Sequence, residues 1–528
     1  MDNTLGRVVA VAGSQMTVTL DDKEWVPEAV RIDEMVKVRC VDFDVVGTIA
    51  AIQLEISGPS PRRIFMVDLL GEIASTSDGR QQFSRGVSHH PVIGTPVRAA
   101  TEADRTAVYS QPSASNVRIG ALYHNPLRPA FVLVNELLSK NFAVLGATGS
   151  GKSCAVTLIL SAILGEHPNA HVVLLDPHNE YTAAFGDLAE VVNVDNLQLP
   201  LWVLDFEEAA EVLVRGGTAQ EQEAQAIILK DAITKARRRF ANGDLGAGSI
   251  TVDTPLPFRA SDLLRFLDEA MGRLDNPDTS APYLRLRTRL ESLRSDKRFA
   301  FMFSDQLVTR DTLPQIVGRL LRIPVAGKPL TIIDLSGIPS EIADVVVSLM
   351  CRLTFDFALW SERERMPPIL LVCEEAHRYV PAATGIGFVA TARAITRLAR
   401  EGRKYGISLA LVTQLPSELS AQALSQCGTV FALRLGHHLD QRFMETALPD
   451  AARGMLAALP SLRTQEAIAF GEGVSLPMRI RFADLPPNRR PRSESAEFSK
   501  AWQSDSADID FLNEGIRRWR LQSRDTIT

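Results

Sequence analysis

The chain has 528 residues, of which 45% are hydrophobic and 23% are charged, and its formal net charge is -6. This length exceeds what one compact core can hold and predicts three or four domains of a soluble globular protein. The acidic balance excludes a protein that is basic over its whole surface. Any nucleic acid must therefore be bound through local patches or an assembled channel.

Cysteine usage and hydropathy predict a cytoplasmic protein. The cysteines are odd in number and form no C-x-x-C pair: Cys40, Cys154, Cys351, Cys373 and Cys427. This pattern fits a reducing compartment, where thiols pack as small core side chains. The first residues lack a basic segment followed by a long apolar core. The richest apolar segments are also much shorter than the roughly 20 residues of a membrane span.

The sequence pattern of residues 1–115 predicts a small β-barrel. Apolar and polar side chains alternate in short runs at 6–13, 15–20, 35–40, 45–55 and 63–73, with turn residues between them. His89 and His90 follow in a segment rich in turn residues. Because adjacent side chains on a strand point to opposite faces, we expect a turn here and no shared metal ion.

A phosphate-binding loop follows an apolar run at 142–145 and precedes an apolar helical segment. Its glycines allow backbone N–H groups to point inward around a polyphosphate at a helix N-terminus. Lys152 should reach the β and γ phosphates, and the Ser153 hydroxyl should bind Mg²⁺. The predicted nucleotide-binding residues are Gly146, Ala147, Thr148, Gly149, Ser150, Gly151, Lys152, Ser153 and Cys154.

Strand and helix patterns alternate from residue 121 onwards, which predicts a parallel sheet. The strand after the P-loop helix ends in the polar residues 176–180, which either face a ligand at the sheet edge or form a loop without a role. Residues 207–325 carry apolar residues at helical spacing and predict a helical insertion. Its arginines at 237–239 and 285–294 fit a solvated helix face or contact with a partner or nucleic acid.

A second apolar strand, beginning at residue 369, leads into Glu374 and Glu375. Nucleotide hydrolysis requires one carboxylate that holds Mg²⁺ through water and another that orients or deprotonates the attacking water. We assign Glu374 to the metal and Glu375 to the water. The basic helix at 391–405 carries Arg400 and Arg403, which could reach a γ-phosphate of this subunit or of a neighbour. The next strand ends in Gln414, positioned to sense that phosphate.

The chain ends with a flexible break at 486–495 and a predicted helix at 497–522. Its aromatic side chains, Trp502, Phe511 and Trp519, should dock on another surface or on the protein's own core.

Five ordered motifs behind the barrel are GATGSGKS, LLDPHNEY, LVCEEAHRYVP, REGRKYG and VTQLPS. Together they resemble the HerA family of hexameric DNA translocases, in the FtsK–HerA branch and in its bacterial type. The resemblance implies an α/β fold with a RecA-like P-loop NTPase core, an N-terminal HAS-barrel, a helical-bundle insertion and a C-terminal helix. The implied boundaries are 1–115 for the barrel, 116–206 and 326–490 for the core, 207–325 for the insertion and 491–528 for the linker and helix.

The resemblance also implies a homohexamer with ATP and Mg²⁺ between its subunits. Lys152 and Ser153 match the Walker A residues, Glu375 the catalytic glutamate and Gln414 the sensor. Arg400 or Arg403 should be the arginine finger, and Lys140 matches a basic position that relatives use in a neighbour's site. Glu374 replaces the usual Walker B aspartate and should still hold Mg²⁺ through water.

The function implied by the resemblance is that of an ATP-driven translocase or helicase on double-stranded DNA. It would act with a nuclease or a sirtuin-type effector subunit in DNA processing or antiviral defence, away from membranes. Residues 378–387 would contact DNA in the pore of the ring, where six copies of each weak contact add up. The alternative is a hexameric scaffold in which ATP binding assembles and regulates an effector enzyme.

Overall fold

The structure, a computed structural model, describes residues 4–20, 30–55, 62–75, 81–241, 249–272, 280–303, 311–383, 389–447, 453–492, 499, 502–503 and 508–521. The chain divides into two compact units, Met1–Leu174 with Thr354–Arg489 and Leu175–Leu353 with Arg490–Thr528. In the described ranges every helix is too short or too polar to cross a lipid bilayer.

Strands and helices follow one another through most of the described chain. The strands are β1 (Thr4–Ala12), β2 (Gln15–Leu20), β3 (Met35–Arg39), β4 (Phe43–Glu55), β5 (Arg62–Ser75), β6 (Gln81–Arg85), β7 (Pro96–Ala99), β8 (Asn116–Leu122), β9 (Pro129–Leu133), β10 (Asn141–Leu145), β11 (His171–Asp176), β12 (Ala189–Val192), β13 (Leu330–Asp334), β14 (Ile369–Cys373), β15 (Ile407–Thr413), β16 (Cys427–Leu433), β17 (Glu466–Gly471) and β18 (Met478–Phe482). The helices are α1 (Glu102–Val108), α2 (Val134–Leu138), α3 (Lys152–Glu166), α4 (Thr182–Phe185), α5 (Phe206–Leu213), α6 (Ala219–Phe240), α7 (Ala260–Met271), α8 (Ala281–Ser295), α9 (Ala300–Phe303), α10 (Leu313–Leu321), α11 (Ser340–Trp360), α12 (Val389–Glu401), α13 (Ala421–Leu424), α14 (His438–Ala447), α15 (Arg453–Leu456) and α16 (Ile509–Leu521).

Six strands of the first unit close into the predicted N-terminal barrel. Their order is β2-β1-β7-β3-β4-β5, and β2 pairs back onto β5, while β6 adds to β5 outside the ring. Alternating side chains point inward, so that Val18, Ile49, Phe65 and Val67 are fully buried. Because the barrel is closed, each of its six strands pairs with a neighbour on both sides, and none is an edge strand.

His89 and His90 lie in the bend between β6 and β7, as expected for a turn. Nδ1 of His89 is 3.0 Å from the Ser88 hydroxyl, whereas Nε2 of His90 is 2.9 Å from the carbonyl oxygen of Gly13. Each ring therefore serves a different local hydrogen bond.

The remaining strands of the first unit form a mixed sheet in the order β14-β15-β10-β16-β17-β18-β8-β9. Neighbours are parallel from β14 to β16. From β16 to β9 they are antiparallel. Every residue of β10, β14 and β15 is buried, as expected for parallel strands covered on both faces. The carboxyl ends of β14, β15, β10 and β16 therefore meet at one edge of the sheet. The RecA-like α/β core and the N-terminal barrel confirm the predicted fold class.

The second unit pairs β12 with β13 in parallel and carries the helices α5 to α10. One of its deeply buried charged residues is Arg237 on α6, which is only 1% exposed. The guanidinium donates to the carbonyl oxygens of Trp202 at 3.1 Å, Leu204 at 2.9 Å and Val252. Burial lowers the pKa of Arg237 to about 10. This residue is therefore neither on a solvated face nor available to a partner, unlike the exposed Arg238 and Arg239.

The C-terminal helix is shorter than predicted. Among the described residues of 497–522, α16 begins at Ile509, where the Asp508 carboxylate accepts from the Phe511 N–H at 2.8 Å. Trp502 lies in a turn and not in this helix. Trp502, Phe511 and Trp519 are all exposed.

Substituting Arg237 by Met should destabilise the second unit, because three buried carbonyl oxygens would lose their donor. We expect the free energy of unfolding to fall by about 2–4 kcal/mol, measured by urea denaturation while buried Trp202 becomes exposed. The matched control is Arg238→Met on the exposed side of the same helix turn, which should change stability by less than about 0.5 kcal/mol. Equal losses for both variants would contradict this assignment.

Candidate functional site

The P-loop connects β10 to α3 at the carboxyl edge of the parallel strands. Gly149 and Gly151 have φ angles of 73° and 98°, which glycine adopts without strain. The space where a Cβ of Gly149 would lie is open. The N–H groups of Thr148, Gly149 and Gly151 make no backbone hydrogen bond to any described residue. Free N–H groups at the start of a helix fit the phosphates of a nucleotide.

Neighbouring strands hold this loop in place. The N–H of Gly146 donates to the Thr413 carbonyl at 3.2 Å, and the N–H of Ala147 donates to the Arg434 carbonyl at 2.9 Å. The Thr148 hydroxyl donates to Oε1 of Gln414 at 2.5 Å. The predicted sensor, at the end of β15, thus touches the loop directly.

Three buried charges meet beside the loop. Nζ of Lys152 lies 3.5 Å from Oε1 of Glu374 and 3.7 Å from Oε1 of Glu375. Their exposed fractions are 8%, 2% and 4%. One ammonium group faces two carboxylates, and a divalent cation beside them would add favourable positive charge. Carboxylate and hydroxyl oxygens suit Mg²⁺, and the residues that fit it are Glu374 and Ser153, the second residue of α3. When bound, the metal would neutralise charge on the phosphates.

Glu375 has a left-handed backbone, with a φ of 53°. Such a conformation costs a non-glycine residue roughly 1–3 kcal/mol and is concentrated at functional sites. Oε2 of Glu375 is buried and makes no hydrogen bond to any described residue. An ionised carboxylate with a free oxygen can accept a proton from, or orient, a water molecule.

His377 sits against this carboxylate. Its Nδ1 is 2.9 Å from the Thr413 hydroxyl and 3.3 Å from Oε2 of Glu375, a distance at which the imidazole is an ionic partner only if it is protonated. Burial lowers the pKa of His377, and the nearby Glu375 only partly opposes this shift. The ring is therefore neutral near pH 7, and it links the end of β14 to the end of β15. The sequence pattern did not predict a role for His377, although it places this residue at the carboxyl end of a strand.

The other predicted cations lie at the opposite edge of the same sheet. Lys140 immediately precedes β10, and it pairs with Glu472. Arg400 and Arg403 are exposed at the end of α12, which is fixed there because Asn141 donates to the Ala399 carbonyl at 2.8 Å. Since a five-residue strand is about 16 Å long, these cations are not brought to the P-loop of their own chain.

Cys154, the last of the predicted nucleotide-binding residues, is the third residue of α3 and is half-buried beside the loop.

Asp176, the last residue of β11, belongs to the second unit and supports a loop. Its buried carboxylate accepts from the N–H groups of His178 at 3.3 Å, Glu180 at 3.2 Å and Tyr181 at 3.0 Å. Burial raises the pKa of Asp176, and these hydrogen bonds oppose the shift. The carboxylate of its first residue thus organises the loop 176–180.

The fold and the loop geometry together define a P-loop NTPase of the RecA-like class. Residues 117–354 match the family model described as Helicase HerA, central domain. Over 399 residues the chain is 27% identical to the DNA double-strand break repair helicase HerA of Pyrococcus furiosus, covering 69% of each protein. It is also 27% identical over 400 residues to the HerA helicase of Sulfolobus acidocaldarius, covering 74% of this chain and 73% of that one. These matches show that the chain is similar in sequence to helicases of the HerA family.

A solved structure of VirB4 of Thermoanaerobacter pseudethanolicus aligns with a TM-score of 0.49 and 17% identity, covering 72% of this chain and 98% of that chain.

Replacing His377 by Ala should lower the kcat for ATP hydrolysis roughly 10- to 100-fold, because Glu375 loses the side chain packed against it. The affinity for ATP should stay unchanged, since the P-loop contacts remain. Steady-state turnover together with calorimetric ATP binding tests this expectation. The control is Arg365→Ala in the exposed loop before β14, and wild-type turnover by the His377 variant would refute the assignment.

Proposed function

We propose that this protein is an ATPase of the HerA type, which assembles as a homohexamer and moves double-stranded DNA through its central pore. The observation that carries the proposal is the separation of two charge sets in one sheet. Lys152, Glu374 and Glu375 meet at the carboxyl edge, whereas Arg400 and Arg403 lie at the amino edge.

In this proposal the carboxyl edge performs hydrolysis. The free N–H groups of the P-loop hold the phosphates of ATP, and Lys152 leaves the carboxylates for the β and γ phosphates. Glu374 and Ser153 hold Mg²⁺. Glu375 orients the attacking water through its free Oε2, and Gln414 reports on the γ-phosphate through its bond to Thr148.

The amino edge would complete a neighbour's site. An arginine finger stabilises the charge of the transition state when it reaches the γ-phosphate. Neither Arg400 nor Arg403 can do this in its own chain, so the proposal gives the finger to the adjacent subunit of a ring. Lys140 belongs to the same exposed edge and would approach the same neighbouring nucleotide. A ring repeats such a heterologous contact until it closes.

DNA would be bound in the pore of this ring. With a net charge of -6, one subunit has little general attraction for a phosphate backbone, but six copies of a local contact add up. The predicted pore loop at 378–387 begins with the exposed Arg378, and its residues 384–387 lie outside the described part of the chain. The relatives from Pyrococcus and Sulfolobus are named as DNA double-strand break repair helicases, which favours DNA as the substrate.

The proposal extends to the cellular setting. The protein would be a cytoplasmic member of the bacterial type, and its motor would drive a nuclease or a sirtuin-type effector in DNA processing or antiviral defence.

A subunit-mixing experiment tests the shared site. Lys152→Ala and Arg403→Ala variants carrying different tags should each be inactive alone, with Arg400→Ala tested in the same way to find which arginine acts. Co-expressed mixed rings should recover about one quarter of wild-type ATP turnover, because random assembly puts an intact P-loop opposite an intact finger at that fraction of interfaces. Purified mixed rings without any activity would show that both residues serve the same chain.

A second test separates the motor from a scaffold. Glu375→Gln should keep ATP binding and ring assembly but reduce ATP turnover by at least about 100-fold, since it removes the group that orients water. DNA translocation, followed by displacement of a streptavidin block from linear duplex, should be lost with it. If effector activity on DNA survived this loss undiminished, ATP binding alone would suffice and the scaffold would be the better description.

A further inference from the structure

The turn at 462–465, which leads into β17, packs directly on the P-loop. The N–H of Gln465 donates to the carbonyl oxygen of Ser150 at 3.1 Å. A Cβ placed on Gly151 would lie 3.2 Å from the nitrogen of Gln465 and 3.7 Å from its Cγ. The Gln465 side chain therefore runs past the last glycine of the loop, where α3 begins.

This turn is held rigidly in its position. Gln465 has a left-handed φ of 69°, and its carbonyl accepts from the Phe482 N–H at 2.9 Å. The next residue, Glu466, is 3% exposed and accepts from the Arg463 N–H at 3.1 Å and from Arg479 at 2.8 Å. A strained residue fixed on both sides is typical of a position that presents a side chain to a ligand.

The position of Gln465 relative to the P-loop indicates which part of a nucleotide its side chain would contact. A nucleotide whose phosphates are bound by the N–H groups of the loop keeps its ribose and base outside the loop, on the surface that borders it. Gln465 borders that end and is half-buried, and the exposed Thr464 and Arg463 continue the same surface. A carboxamide offers both a donor and an acceptor, which matches ribose hydroxyls and the edge of a purine base.

We propose that Gln465 is a nucleoside-recognition residue, which binds the ribose or base of the nucleotide while the P-loop binds its phosphates. The inference rests on the proposed function, because it requires a nucleotide in the P-loop.

The test compares two ligands that share the phosphates but differ in the nucleoside. In the Gln465→Asn variant the new side chain is compatible with the left-handed backbone and is one methylene shorter. The carboxamide is therefore kept, but it no longer extends as far as the nucleoside. Calorimetric titrations with Mg²⁺–ATP and with Mg²⁺–tripolyphosphate should show roughly 10-fold weaker ATP binding and unchanged tripolyphosphate binding. Ser461→Ala, at an exposed position just before the turn, is the matched control.

Two outcomes would overturn the inference. Unchanged ATP affinity would mean that the side chain does not contact the nucleoside, and an equal loss for both ligands would mean that Gln465 only supports the loop. If the Asn variant melts at a lower temperature than wild type, Gln465→Gly, which relieves the backbone strain, takes its place in the same titrations. Absence of ATP binding by the wild-type protein would instead contradict the proposed function itself.

Discussion

Parallel pairing of β14, β15, β10 and β16 is the constraint on which the rest of the site depends. Strands that run in one direction deliver all their carboxyl ends to one edge, and the chain has placed the P-loop, the two glutamates and the glutamine sensor there. The same rule sends residues that precede the strands, such as Lys140, to the other edge. Within a single chain, the length of a strand therefore separates the P-loop and the glutamates from the cations at the other edge. Phosphoryl transfer needs these groups to be in contact with the same phosphate.

The buried charges at the carboxyl edge are matched to a ligand. Lys152 faces two carboxylates that are almost fully buried, and removing charges from water is costly unless they are paired. A single lysine faces both carboxylates. A divalent cation would add positive charge beside them, and a nucleotide phosphate would give the lysine a new partner. The strained backbone of Glu375 and the neutral His377 beside it fix the second carboxylate before any ligand arrives.

Sequence patterns predicted the features that depend on local order. The P-loop, the barrel strands and the buried parallel strands follow from glycine spacing and from apolar periodicity, which act over a few residues. The short strands β6 and β7 were missed because four or five residues carry too little periodicity, and β7 begins at a proline. The predicted C-terminal helix extended too far, since several Ser and Asp residues between 493 and 508 could each serve as its N-cap and the sequence does not single out Asp508.

Other features were beyond sequence reasoning because they depend on tertiary contacts. Arg237 lies four residues after Ile233 on the apolar stripe of α6, but only the packing of the helix shows that it donates to three buried carbonyls while Arg238 is solvated. Likewise, Gln465 lies more than 300 residues from Ser150, and nothing in the motif indicated that it borders the P-loop.

The most direct measurement of the central claim is an electron cryomicroscopy structure of the assembled ring with a non-hydrolysable ATP analogue and Mg²⁺. The account predicts that the guanidinium of Arg400 or Arg403 from one subunit lies within hydrogen-bonding distance of the γ-phosphate held by Lys152 of the next. A γ-phosphate contacted only by cations of its own chain would contradict it.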